Sequence, residues 1–280
     1  MTFFKVIIKP TKKEFELLKY LDKRIYIDTA EKRFTLLEHD YLSKKYSEEK
    51  FPAEGNYKLG YCLYQHIKNN IEEWVKKKKI KVLDIGSGGG ALTTIFAIKA
   101  LDKLKLLEKT KIILFDVSED ALQSTLDGSF YLPMSFLKKY GLQKIGKNGK
   151  WLKKILKEKS EYIVGDIVNL PSSIKNVDIC LSGFTHHHLN IFDKKLACEA
   201  MEGVTNKGGF IGLVDESLNY KQYLKWLKAH KNEINSQEQR VPIAQESFIQ
   251  LDLHKSFFKN IDFIYNKKEK EYYYFCGVKN

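Results

Sequence analysis

The sequence predicts an α/β protein: a seven-stranded, mostly parallel sheet with helices on both faces, an antiparallel C-terminal hairpin and an N-terminal helical cap. Three observations lead there. From Ile80 onward, short β-branched runs alternate with longer helical ones. Those runs are apolar at nearly every position, as strands buried on both faces are. The last two runs are separated by the charged stretch KKEKE alone, and so short a link joins only antiparallel strands.

The elements follow in order. Residues 15 to about 50 are charged and helix-like, with Leu17, Leu18, Leu21 and Ile25 at helical spacing. Pro52, Gly55 and Asn56 then read as punctuation. A second amphipathic helix is expected over 59–78, with Leu63, Ile67, Ile71, Trp74 and Val75 on one face. Strands are expected at KVLDI (81–85), KIILF (111–115), EYIVG (161–165), VDICL (177–181) and FIGLV (210–214), and the hairpin at IDFIYN (261–266) and YYYFCGV (272–278). The interval from Asp116 to Asp166 is long for a compact α/β connection. We therefore divide the chain into a cap over 1–58 and a main α/β domain over 59–280 with an insertion at about 128–160, either a surface helix pair or part of a lid.

Composition narrows the function classes. Of 280 residues, 43% are hydrophobic and 13% aromatic, enough for a packed core, which excludes global disorder. The opening MTFFKVIIKPTKKEFE carries an apolar run too short for a signal peptide, and no window approaches a membrane span. A soluble, cytoplasmic protein without a membrane partner is expected. Cys62, Cys180, Cys198 and Cys276 stand singly, a poor basis for disulfides or a structural zinc site. The net charge of +13 invites a nucleic-acid partner, yet Arg24, Arg33 and Arg240 are the only arginines. Arginine supplies the bidentate and stacking contacts of nucleic-acid readers, so a solvated lysine surface is the preferred reading.

The stretch VLDIGSGGGAL (82–92) runs from a buried strand through Gly86, Gly88, Gly89 and Gly90 into a helix. Glycines there permit positive φ and close backbone approach, and they bring a ligand to a helix N-terminus beyond the strand ends. Gly86-x-Gly88-x-x-Ala91 satisfies the dinucleotide fingerprint. In that pattern the ribose-binding acid lies about 20 residues on. Here Asp84 precedes the loop and the next strand-end acid is the more distant Asp116.

LDIGSGGG resembles the first motif of class I S-adenosylmethionine-dependent methyltransferases. ILFDVSEDAL (113–122), IVGDIVNLP (163–171), VDICLSGFTHHHL (177–189) and NKGGFIGLVDE (206–216) resemble the later motifs in the same order, with Lys207 where the family's turn has proline. The resemblance covers about residues 80–280. It implies that Gly86, Ser87, Gly88 and Gly90 wrap the methionine part of S-adenosyl-L-methionine, with Asp84 fixing the loop and the amino group. It implies that Asp116 accepts the ribose hydroxyls and that Asp166 and Ile167 meet the adenine. Further cofactor contacts are implied at Val117, Gly165, Ser182, Gly183 and, from the preceding helix, Tyr61. Against these stand plainer roles: a strand-end Asp caps a helix, and tyrosines at helical spacing pack a face.

His186, His187 and His188 follow the fourth strand. Neighbours on a strand face opposite sides, so three in a row do not converge on one ion, and no metal is expected. If the strand extends that far, His186 and His188 face one way and His187 the other. Each is a candidate cleft wall or general base, with Glu216 and Asp215 as rivals. The expected activity is methyl transfer to an oxygen or nitrogen of a small molecule, acidic if it is to suit the lysine surface, releasing S-adenosyl-L-homocysteine. The alternatives are an RNA (tRNA) methyltransferase and a non-enzymatic cofactor-binding protein.

Overall fold

The computed structural model describes residues 50–88, 91–117, 119–127, 138–142, 150–189, 191–217, 251–269 and 272–280. Their order is α1 (Lys50–Asn69), α2 (Ile71–Lys76), β1 (Ile80–Ile85), α3 (Leu92–Lys103), β2 (Thr110–Asp116), α4 (Glu119–Asp127), α5 (Lys150–Lys159), β3 (Ser160–Val164), β4 (Val177–Gly183), α6 (Ile191–Val204), β5 (Thr205–Glu216), α7 (Leu251–Lys255), β6 (Ile261–Lys268) and β7 (Tyr272–Lys279). All seven expected strands form. They make one sheet of order β3-β2-β1-β4-β5-β7-β6. Pairing is parallel from β3 to β5 and antiparallel at β5–β7 and β7–β6.

Strand alternation splits the core into two layers. Val82, Ile112, Leu114, Ile179, Leu181, Phe210, Tyr272 and Tyr274 face one layer with α1, α3 and α5. Leu83, Ile113, Phe115, Cys180, Ile211, Tyr273 and Phe275 face the other with α6 and α7. With both faces covered, successive side chains are both apolar, which is why the strands read as continuous runs. The edge strand β6 is covered least, leaving Ile264 and Tyr265 about half exposed beside Lys267 and Lys268.

Two expectations about the first helices change. The run Pro52–Asn56 does not interrupt a helix; it lies within α1, which continues across the expected boundary at 58. Proline is tolerated in a first turn, where its missing N–H has no intrahelical acceptor. Gly55 is there for packing: a Cβ would sit 2.7 Å from Val214 Cγ2 and 2.9 Å from Phe184 Cζ. The break comes instead at Asn70, between α1 and α2; at the far end of α2 Lys109 Nζ donates to the carbonyls of Trp74, Val75 and Lys77 at 2.7–2.9 Å and closes that helix. The cap up to residue 49 and about half of the 128–160 insertion lie outside the described residues; 138–142 and α5 are the parts of the insertion that are seen.

Candidate active site

The strand order reverses between β1 and β4, since β1 leads outward to β2 and β3 while β4 leads to β5 and β7. Such switch points open a crevice beyond the carboxyl ends of the strands. The glycine loop sits there. Gly86 has φ +67°, and its N–H donates to the Phe115 carbonyl at 2.7 Å, as Ser87 N–H does at 3.2 Å. A Cβ on Gly86 would overlap the side chain of Thr185. Thr185 Oγ1 donates to the Gly86 carbonyl at 3.0 Å, so the loop after β4 clamps the loop after β1.

Gly88 differs. Its φ is +60°, but a Cβ there would meet nothing within 4 Å among the described residues, so this part of the loop is open toward them. Gly88 N–H donates to Asp116 Oδ2 at 2.8 Å, placing the β2 carboxylate directly against the loop. Ser87 Oγ is buried with no hydrogen-bond partner among the described residues. An unpartnered buried hydroxyl, an open glycine and a strand-end carboxylate together fit a polar ligand laid along the loop. Gly89 and Gly90, the latter an expected cofactor contact, lie outside the described residues.

Asp84 is fully buried, and Oδ2 accepts from Thr94 N–H at 3.0 Å and Thr94 Oγ1 at 2.6 Å. It therefore caps α3 from the neighbouring strand and anchors the loop, while Oδ1 has no hydrogen-bond partner among the described residues. Burial pushes its carboxyl up to about 7; the Thr94 bonds oppose this, and the nearby Asp116 charge adds to it.

Asp166 starts a single 3-10 turn, and its Oδ1 accepts from Val168 N–H at 3.2 Å. Ile167 is buried and Val117 half-buried beside it along the same edge. A Cβ on Gly165 would lie 2.8 Å from Phe115 Cζ, so the chain there passes close over β2. Ser182 is a correction. It is fully buried and donates to the Ile85 carbonyl at 3.0 Å, bracing β4 to β1 rather than reaching a ligand.

Tyr61 is also a correction. It is 49% exposed and takes a 2.6 Å hydrogen bond from Gln65 one turn along α1. The helix reaches the crevice at Asn56 instead. Asn56 is buried, Oδ1 accepts from Thr93 Oγ1 at 2.7 Å, and both side chains stand where a Gly183 Cβ would go. Reading Gly55-Asn56 as a turn hid this residue; a helical register carried back from Leu59 finds it. Thr185 was likewise hidden by the histidines that follow it.

The strand does not extend through the triplet. β4 ends at Gly183, Phe184 adopts φ +53°, and His186–His188 form one 3-10 turn. Strand alternation therefore does not apply, and each histidine has its own environment. His187 is buried, and its Nδ1–H donates to Asp215 Oδ1 at 2.8 Å. That oxygen also accepts from Glu216 N–H at 2.9 Å, while Asp215 Oδ2 has no hydrogen-bond partner among the described residues. Glu216 is half-buried at the end of β5. His186 is a correction to the catalytic set. It is 1% exposed and hydrogen-bonds through Nδ1 to His254 Nε2 at 2.9 Å. Burial holds its imidazole down to about 3, the nearby Asp215 charge opposing and Lys194 adding to the drop, so it is neutral and internal. The side chain of His188 lies outside the described residues.

No protein-family model matches the chain, and no curated protein sequence does. Solved structures do. A protein from Nostoc punctiforme named as a candidate O-methyltransferase is 13% identical, with 95% of this chain and 68% of that one covered and a TM-score of 0.51. An O-methyltransferase family protein from Burkholderia thailandensis is 7% identical over 79% of this chain and 58% of its own, with a TM-score of 0.46. A TehB-like SAM-dependent methyltransferase from Corynebacterium glutamicum is 9% identical over 81% and 88%, with a TM-score of 0.41. At such identities the likeness concerns fold, and the first carries it. Among the described residues no helix is long and apolar enough to cross a membrane. The chain shares the fold of that Nostoc protein, a Rossmann-like α/β sheet with an antiparallel C-terminal hairpin, with its glycine loop at the point where the strand order reverses.

Proposed function

We propose that this chain is an S-adenosyl-L-methionine-dependent methyltransferase acting on an oxygen or nitrogen of a small molecule. The observation that carries the reading is the meeting, at the switch point, of the open Gly88, the Asp116 carboxylate and the unpartnered Ser87 hydroxyl with a His187–Asp215 pair beyond the neighbouring strands. The cofactor, when bound, supplies an electrophilic methyl group for in-line displacement.

The chain's own residues do the rest. The Ser87 hydroxyl and the Asp116 carboxylate orient the ligand along Gly88, and Thr185 holds the loop in place. Asp215 accepts the Nδ1 proton of His187, which fixes the tautomer and leaves Nε2 as the atom that takes a proton from the acceptor. Glu216 is the second acid/base group at this mouth. The lysine-rich composition favours an acidic substrate. The fold by itself does not select a small molecule over RNA; the scarcity of arginine does.

The test is transfer of labelled methyl from the cofactor to a panel of phenols, carboxylates and amines, with RNA as a comparison arm. Wild type should transfer to at least one small molecule. His187→Ala should lower kcat about 10²- to 10⁴-fold, the usual contribution of a positioned base, while cofactor affinity changes little. Transfer to RNA alone contradicts the substrate class. Equal rates in wild type and His187→Ala contradict the role of the pair.

A further inference from the structure

The same turn that delivers His187 to Asp215 sends His186 into the core layer between β7 and helices α6 and α7, where it meets groups that the proposed methyl transfer does not use. His186, Cys198 on α6 and His254 on α7 each place a ligating atom within 4.8 Å of the other two. All three are buried, at 1%, 0% and 0% exposure. His254 Nδ1 is hydrogen-bonded to Tyr273 Oη at 2.6 Å, and His186 Nε2 has no partner among the described residues.

Two imidazoles and a thiol are an expensive way to fill a core lined by Phe257 and Phe275. A buried polar atom left unpaired is destabilising, and apolar side chains would avoid that cost. We propose that His186, Cys198 and His254 form a three-coordinate site for a soft d10 metal ion, with Tyr273 as the outer partner that orients His254.

Ligand chemistry selects the ion: two histidines and one cysteine are a set that suits soft monovalent copper. Metal–ligand bonds of about 2.0–2.3 Å put ligand atoms ~3.5 Å apart, so side-chain shifts close the site without moving the backbone. Binding forms the metal–sulfur bond, breaks the Cys198 S–H bond and releases that proton to solvent. Each imidazole keeps its one proton, on the nitrogen that does not ligate; in His254 this is Nδ1, which donates to Tyr273.

The test titrates metal-depleted full-length protein with Cu(I) under anaerobic, reducing conditions against a chromophoric Cu(I) chelator, and separately with Zn(II). Wild type should withhold one equivalent of Cu(I) and release one proton per ion. Cys198→Ser should lose this, Cys62→Ser should retain it, and Tyr273→Phe should bind about 10- to 100-fold more weakly, as loss of an outer partner does. Should Cys198→Ser fail to fold, X-ray absorption at the metal edge of wild type decides: one sulfur and two nitrogen neighbours support the site, and a sulfur-free shell overturns it. Withholding Zn(II) in place of Cu(I) supports the site and overturns the choice of ion. No metal withheld from the chelator overturns the proposal.

Discussion

Asp84 illustrates how a residue that looks like a ligand also acquires a structural role once its surroundings are known. A carboxylate at a strand end next to glycines is equally suited to hold a cofactor or a helix. What decides is Thr94, two residues into α3, whose N–H and hydroxyl both reach Asp84 Oδ2. The sequence shows the acid and the threonine but not that the loop folds back by that distance. With its carboxyl raised to about 7 and an ordinary value near 3.8, the native state binds a proton between these pH values that the unfolded chain does not. Asp84 thus favours folding at the acid end of that window and disfavours it progressively as pH rises to 7. Asp84→Asn, which keeps an acceptor for Thr94, should therefore gain stability relative to wild type between pH 4 and pH 8, by on the order of a few kcal/mol. Urea unfolding of both proteins at those two pH values measures it, and a pH-independent difference contradicts the assignment.

At the scale of elements, periodicity was informative where burial is one-sided or uniform and misled where a single residue serves packing. Leu59, Leu63 and Ile67 mark α1, and the strand runs mark the sheet, because burial repeats along them. Gly55 and Asn56 carry turn chemistry yet lie within a helix, since Gly55 is the only residue that lets α1 approach Val214 and Phe184. This yields a test of sign. Gly→Ala inside a helix ordinarily stabilises, by roughly 1 kcal/mol. Gly55→Ala should instead destabilise by about 1–3 kcal/mol, the usual cost of overpacking, measured by denaturant midpoint at constant m value. The histidine triplet failed for the opposite reason: alternation assumes a strand, and Phe184 ends it by turning into positive φ.

For the molecule as a whole, fold and site were legible to different degrees. Seven apolar runs and one short charged link were enough for the architecture, because parallel strands covered on both faces leave few other arrangements. The crevice at the switch point was legible at Gly86, Gly88 and Asp116, which shape it through backbone freedom and a strand-end position, both local properties. The remaining site residues depend on contacts between distant segments: Asn56 with Thr93, Thr185 with Gly86, His187 with Asp215. No spacing rule within a single segment reports those.

The central claim, that this crevice holds S-adenosyl-L-methionine, is tested most directly by calorimetric titration of purified protein with S-adenosyl-L-homocysteine. We predict one site per chain, with affinity reduced at least about ten-fold in Asp116→Ala, the cost of losing a charge-assisted hydrogen bond. No binding heat, or binding that Asp116→Ala leaves unchanged, would contradict the account.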